Sequence, residues 1–522
     1  MTPVRQAEPV GRADLIAACL ILLAAVLIVV QAVGRQYLNV DTETDFISGF
    51  QPEAARFLRG EGFLLEFHPP GFPIALAALF SIIGDWFAAG LVLSAASAVV
   101  VLVVSYLCFR ELLGVPAGLG ALAALAGSAV FVSFSIQATS DMYFLALWTS
   151  AIWLVVVSMR QQRVWQWVLA GLLIAGAVLA RTNGVVLLAL LVAPLISGRS
   201  LRAGILNFAV VAVAVAAPVL AWWLYSKSIG SPFMPTKTYA NLALTYFADG
   251  SRISADSLVQ LQSQFSSSLD VLLTDPSRVM RIYLRDLANL PGKLLSRLTW
   301  PPLAALCLVC GVAWLTRLKD PRVLLVLAVT LASVALLNMK AFEARYFLLL
   351  LPVAGASIGL AVTWLGDRAA DPGKFSSAGS LGMALLVVFV LGISGYGGFA
   401  RAENPALSAE FSEIIGEIQS KTPEDSLMVC RKCNAAYHAG RGTTGFFPEV
   451  RNLAELCQYL KSLELDRPTY VVIASMERKL RPEVSAELSA DPLPEWLEVT
   501  AQGAGGTPWR LIKYRDEVEC NR

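Results

Sequence analysis

Three carboxylates at alternate positions, Asp41, Glu43 and Asp45, follow the first long apolar run of the chain. In extended backbone, alternate side chains point to one side, so the three would converge. Such a cluster either takes a proton from a hydroxyl or holds a divalent metal, with Asp41 and Asp45 as the ligands. Beside low-dielectric lipid a carboxyl pKa rises toward the range of a working base. A solvated acidic connector without chemistry would carry the same residues. Further on, Glu66-Phe67-His68-Pro69-Pro70-Gly71-Phe72-Pro73 sets one of only two histidines among residues that stiffen the backbone. His68 can there donate to an anionic phosphate or carry a proton.

The remaining candidates are an acid and several cations at the ends of apolar runs. Asp141 follows Ser140 in Gln137-Ala-Thr-Ser-Asp141-Met-Tyr143. It either caps a helix and complements its dipole or faces the same cavity as the acidic loop. Arg181 lies between two apolar runs, and Lys340, Glu343, Arg345 and Tyr346 share one short connector. Cations at a membrane surface either snorkel to the interface or bind a lipid phosphate. Together these residues describe one site, with acids for a base or metal and cations for a phosphate.

The elements that must position them are membrane helices. The chain has 522 residues, of which 56% are hydrophobic and only 15% charged, with a mean hydropathy of +0.62. A soluble domain carries about a quarter charged residues. The net charge of +2 has no basic face behind it, so a nucleic-acid partner is not expected. Apolar runs predict helices at about 13–33, 86–109, 115–136, 141–159, 165–180, 184–197, 204–226, 300–316, 322–338, 346–365 and 379–398. The first is read as a retained helix, because no small-residue cleavage motif follows it. Residues 73–84 are apolar but too short to span, and predict an interfacial helix.

Connectors sort by charge. Arg5/Arg12, Arg110, Arg160/Arg163, Arg199/Arg202, Arg317/Lys319/Arg322 and Arg368/Lys374 lie in short basic connectors, which the positive-inside rule assigns to the cytoplasm. The long segments 34–85, 227–299 and 399–522 then face outward. This predicts a mainly α, polytopic membrane protein of about eleven spans, with its N-terminus inside. It comprises a membrane domain, 1–398, and a small extracytoplasmic α/β domain, 399–522. Within the latter, Phe411, Ile414, Ile415 and Ile418 repeat at helical spacing, while 426–430 and 469–474 read as buried strands. Cys19, Cys108, Cys307 and Cys310 fall in apolar runs. Cys430, Cys433, Cys457 and Cys520 fall in the outer domain. There they form disulfides, or Cys430-x-x-Cys433 with His438 binds a metal or acts in redox chemistry.

In ordered combination these motifs resemble the C-type (GT-C) integral-membrane glycosyltransferases. The nearest branch is the bacterial one of aminoarabinose transferase, protein O-mannosyltransferase and the rhizobial galacturonosyltransferases. The resemblance runs over about 13–398. It rests on the acidic loop with Gly60 beyond it, His68-Pro-Pro-Gly-Phe-Pro73, Ser140-Asp141-Met142, Ala180-Arg181-Thr-Asn-Gly184 and Glu343-Ala-Arg345-Tyr346 with Pro352. It implies a sugar donor on a polyprenyl phosphate and an acceptor that is a lipid, a glycan or a protein. It also implies Asp45 as base or metal ligand, and Arg345 against the charge of the leaving phosphate. His68 stands where relatives often carry a basic residue beside paired prolines. Glu43, Asp141, Arg181, Lys340 and Tyr346 complete the substrate site, among membrane lipids. No cofactor beyond the divalent metal is implied. The acids here are spread over Asp41, Glu43 and Asp45 instead of forming an adjacent pair, so Asp41 and Asp45 both stand as the base. The alternative class is a secondary transporter or lipid-carrier flippase. Such proteins usually show repeated halves and ionisable groups at mid-membrane; this sequence shows no internal repeat, and its polar groups gather at helix ends.

Overall fold

The computed structural model describes residues 12–35, 43–65, 67–198, 200–248, 261, 264–297, 309–340, 342–366, 382, 405–430, 434–443, 448, 450–463, 466–503 and 508–517. Asp41, Glu66, Cys307, Cys433, Cys520, the predicted helix 379–398 apart from residue 382, and residues 300–308 of the predicted helix 300–316 lie outside them. The chain divides into two compact units: residues 1–35 with 50–401, and residues 36–49 with 402–522. The acidic loop, assigned from the sequence to the membrane domain, thus groups with the second unit.

The first unit is helical. Its elements are α1 (Arg12–Gly34), α2 (Gln51–Arg59), α3 (Gly71–Ile83), α4 (Trp86–Leu113), α5 (Val115–Ala126), α6 (Ala129–Ser135), α7 (Ser140–Gln161), α8 (Val164–Ala180), α9 (Leu201–Ser228), α10 (Tyr239–Phe247), α11 (Pro276–Arg297), α12 (Pro321–Leu337) and α13 (Leu350–Gly366). A 3₁₀ helix, Thr182–Val192, follows α8, and another, Ala344–Leu349, leads into α13. Five of the described helices are long and apolar enough to cross a membrane, or six if the bent pair α5–α6 is one span. The chain is a multi-pass membrane protein.

The predicted straight helix over 115–136 is corrected. The chain bends by 72° between α5 and α6. The break falls at Gly127-Ser128, where the Ser128 hydroxyl accepts the Phe131 N–H and caps a new helix. Between apolar helices no hydrophobic drive operates in lipid, so close approach of small residues must hold them. α5 and α13 show this: a Cβ on Gly355 would overlap the carbonyl of Gly120, and one on Gly359 that of Pro116.

The second unit is a three-layer α/β domain. Its five strands are β1 (Leu427–Val429), β2 (Gly442–Thr443), β3 (Thr469–Ile473), β4 (Leu497–Gln502) and β5 (Arg510–Tyr514), in the order β2-β1-β3-β5-β4. β1, β2 and β3 run parallel, and β5 pairs antiparallel with both β3 and β4. β3 is apolar along its length because both faces are covered. Tyr470 and Val472 pack with Ile414 and Ile418 of α14 (Pro405–Lys421). Val471 and Ile473 pack with Leu456 and Leu460 of α15 (Leu453–Ser462). The strands and the amphipathic helix predicted from sequence are all present. Cys430 and Cys457 are each disulfide-bonded, which withholds both thiolates from metal ligation. In the first unit Cys19, Cys108 and Cys310 are free thiols.

Candidate active site

Four chain segments meet in the first unit, and the helix ends explain why. α8 stops at Arg181, whose backbone is extended, and Gly184 permits the next turn to fold against Ala177 of α8. Gly71, at the start of α3, approaches the Leu179–Ala180 backbone; a Cβ there would lie 2.7 Å from Leu179 O. The His68-Pro69-Pro70 turn is therefore held beside the end of α8 that carries Arg181. Phe72 of α3 also meets Tyr143 of α7, with ring centroids 6.0 Å apart.

Asp141 is the centre of the charge arrangement. Thr139, not Asp141, occupies the N-cap of α7, so the capping interpretation of Asp141 is corrected. Its carboxylate is only 5% exposed. Oδ1 forms an ion pair with Arg181 Nη1, and Oδ2 lies 3.8 Å from Arg345 Nη1. Both guanidinium groups lie over the Tyr346 ring, Arg181 at 5.3 Å and Arg345 at 5.2 Å from its centroid. Arg345 is also 5.8 Å from the Phe134 ring, which the α5–α6 bend delivers. Its Nε pairs with Glu343 at 2.5 Å, and Tyr346 Oη lies 3.5 Å from the same carboxylate.

Lys340 adds a third cation. Burial, and then the nearby Arg181 guanidinium, push its ammonium down to about 8, against a smaller upward pull from Glu343. It enters no ion pair among the described residues. Three cations, Arg181, Arg345 and Lys340, thus gather around the buried Asp141 and the exposed Glu343. Planar guanidinium groups with fixed orientation suit a phosphate or carboxylate.

Other candidates take different places. His68 is half-buried, and its ring lies 4.5 Å from that of Phe50. In the second unit Glu43 is buried, and the chain turns helical directly after it, with Phe46 N–H bonded to Glu43 O at 3.1 Å. The extended geometry that would align Glu43 with Asp45 is therefore absent: a helical turn, Phe46–Phe50, leads into α2 and imposes its own period. In the same unit Phe46 meets Tyr437 edge-on at 6.1 Å. No group of three metal-binding side chains occurs among the described residues, so the metal assignment to Asp41 and Asp45 rests on sequence. Phe134 was not read as a site residue; its only sequence signal is the Gly127-Ser128 break.

The fold is similar to that of several solved structures. The family model of dolichyl-phosphate-mannose-protein mannosyltransferase matches residues 67–222, a stretch that contains His68, Asp141 and Arg181. The structure is similar to ArnT from Cupriavidus metallidurans bound to undecaprenyl phosphate, with TM-score 0.56 and 14% identity, over 95% of this chain and 97% of that one. It is similar to the Archaeoglobus fulgidus oligosaccharyltransferase in complex with Zn and sulfate, with TM-score 0.56 and 15% identity, over 88% of this chain and 68% of that one. It is also similar to archaeal AglB from Archaeoglobus fulgidus in complex with an inhibitory peptide and a dolichol-phosphate, with TM-score 0.55 and 12% identity, over 89% and 70% of the two chains. At these identities the likeness is one of fold. A comparison with curated protein sequences finds no match.

Proposed function

We propose that this protein is a glycosyltransferase that moves a sugar from a polyprenyl-phosphate donor to a hydroxyl of a lipid, glycan or protein acceptor. The carrying observation is the gathering of three cations, Arg181, Arg345 and Lys340, around the buried Asp141 at the ends of apolar helices. That is where the phosphate of a membrane-embedded lipid presents itself. Two proteins of the same fold were solved with undecaprenyl phosphate and dolichol-phosphate, which supports the same donor class here.

In the proposed reaction the acceptor oxygen attacks the anomeric carbon. Its proton passes to a carboxylate, and the bond from the anomeric carbon to the phosphate oxygen breaks. Polyprenyl phosphate leaves with the bonding electrons. Arg345, with Arg181 and Lys340, stabilises the charge that grows on that oxygen. Asp45 is the proposed base, with Asp41 as the other candidate, on the strength of the acidic loop's resemblance. His68 is assigned to donor positioning. The proposed orientation places the transfer on the outer face of the cytoplasmic membrane. The short basic connectors support it, as does the disulfide bonding of Cys430 and Cys457 in the second unit, which persists in oxidising compartments.

The test is sugar transfer in purified membranes with a panel of polyprenyl-phosphate sugars, comparing wild type, Asp45→Asn and Asp41→Asn. Transfer by wild type that disappears in a normally inserted Asp45→Asn protein supports the assignment. Loss only in Asp41→Asn moves the base to Asp41. Absence of transfer with every donor, together with flux of a lipid carrier, would overturn the enzyme in favour of a transporter.

A further inference from the structure

We infer that Glu53 is a positioning residue for the proposed reaction, acting through the backbone turn that delivers His68. The inference rests on the function proposed above for the role of His68, but its geometry stands alone.

Glu53 lies in the first turn of α2 and is 9% exposed. Its carboxylate grips main chain. Oε2 accepts the Leu64 N–H at 3.0 Å, and Oε1 accepts the Leu65 N–H at 3.1 Å. The turn it grips is unfavourable by itself. Leu65 has φ of +44°, and Gly62 has φ of +78°. A left-handed non-glycine residue persists only where its surroundings over-determine it. Further bonds share that duty: Arg56 Nε donates to Gly62 O at 3.1 Å, Phe63 N–H donates to Ser231 Oγ at 2.7 Å, and Thr236 N–H donates to Leu65 O at 3.0 Å. The Leu64 side chain is 56% exposed, so its amide, not its packing, pins that residue.

Three positions later comes His68, whose ring rests on Phe50, just ahead of α2. The chain around α2 therefore holds the segment twice, by the Glu53 carboxylate at the turn and by the Phe50 ring at the histidine. Losing the carboxylate frees two amides and lets φ at Leu65 relax, which re-aims His68.

The experiment uses the full-length protein with Glu53→Ala and the isosteric Glu53→Gln. Three quantities are read: deuterium uptake over residues 62–67, carbethoxylation of His68 by mass spectrometry, and donor kinetics. His438 is the other histidine of the chain and serves as internal reference. In Glu53→Ala, uptake and His68 reactivity rise several-fold while His438 reactivity stays put. The kcat falls about tenfold or more with little change in donor KM, as misplacement of a positioned group produces. Glu53→Gln, whose amide oxygen still accepts, falls between. Wild-type uptake and wild-type His68 reactivity in either variant would overturn the inference. If Glu53→Ala does not fold, Glu53→Gln carries the comparison. If wild type transfers no sugar, the functional proposal fails, while uptake and His68 reactivity still decide the role of Glu53.

Discussion

Asp141 and Arg181, forty positions apart in sequence, meet as a buried ion pair where two membrane helices end. The same carboxylate leans toward Arg345, so one acid aligns two guanidinium groups against one tyrosine ring. An acid first considered as a helix cap or a substrate ligand thus has its oxygens directed at the cations that would take the phosphate.

Removing that acid takes from Arg181 its carboxylate partner. Breaking a buried pair costs about 3–5 kcal/mol, and the partial exposure of Arg181 places Asp141→Asn at the low end, near 3 kcal/mol. In a double-mutant cycle with Arg181→Gln, a coupling on the order of 1 kcal/mol or more is expected. Denaturation of the purified protein measures it; additive losses would mean that the pair contributes nothing as a pair.

Donor affinity should depend on pH through Lys340. Burial lowers its pKa in the fold to about 8, from the ordinary lysine value of 10.5. Above about 8 the folded protein loses this positive charge, so donor KM rises between pH 7 and 9 in wild type and stays flat in Lys340→Met. The stability sign is opposite. Between pH 8 and 10.5 the unfolded chain binds more protons than the folded one at this residue, so its contribution to stability increases with pH. Titration of KM and of melting temperature over the same range checks both.

Tyr346 presents its ring to both guanidinium groups, and the proposed role is that of the ring. Each guanidinium over it gains roughly 0.5–1 kcal/mol at a partly exposed site. Tyr346→Phe keeps the ring and should bind donor nearly as wild type, since the hydroxyl's partner Glu343 is 3.5 Å away. Tyr346→Leu should weaken donor binding by up to about tenfold. Equal affinities in the two variants would remove the stacking role.

The crossing of α5 and α13 leaves no space at Gly359. Gly359→Leu is expected to destabilise by ~3 kcal/mol or more through overpacking. Gly176→Ala is the control. Its Cβ would meet Leu147 at 3.4 Å, ordinary contact, and alanine is the better helix former. Melting of both variants in detergent checks the contrast.

Hydrophobic runs, short basic connectors and the apolar strands of the second unit were legible because each is local. A span needs about 20 apolar residues in a row, and a doubly covered strand such as β3 needs an unbroken apolar segment. The amphipathic spacing of Ile414, Ile415 and Ile418 carried α14 for the same reason. The Gly355-Ala-Ser-Ile-Gly359 spacing was equally local and was not read, because small residues in an apolar run look like filler until the facing helix is known.

By itself the sequence determined that this chain lives in a membrane, where several of its helices end, and that an α/β unit follows the membrane helices. Only the tertiary structure decided that Asp141 binds Arg181 and leans toward Arg345, that Phe134 joins them after a 72° bend, and that Glu53 grips the turn before His68. Burial in lipid is a property of composition, summed residue by residue. A charge pair across forty positions, or a carboxylate bonded to a neighbouring backbone, depends on where separate elements come to rest, and no local pattern encodes that.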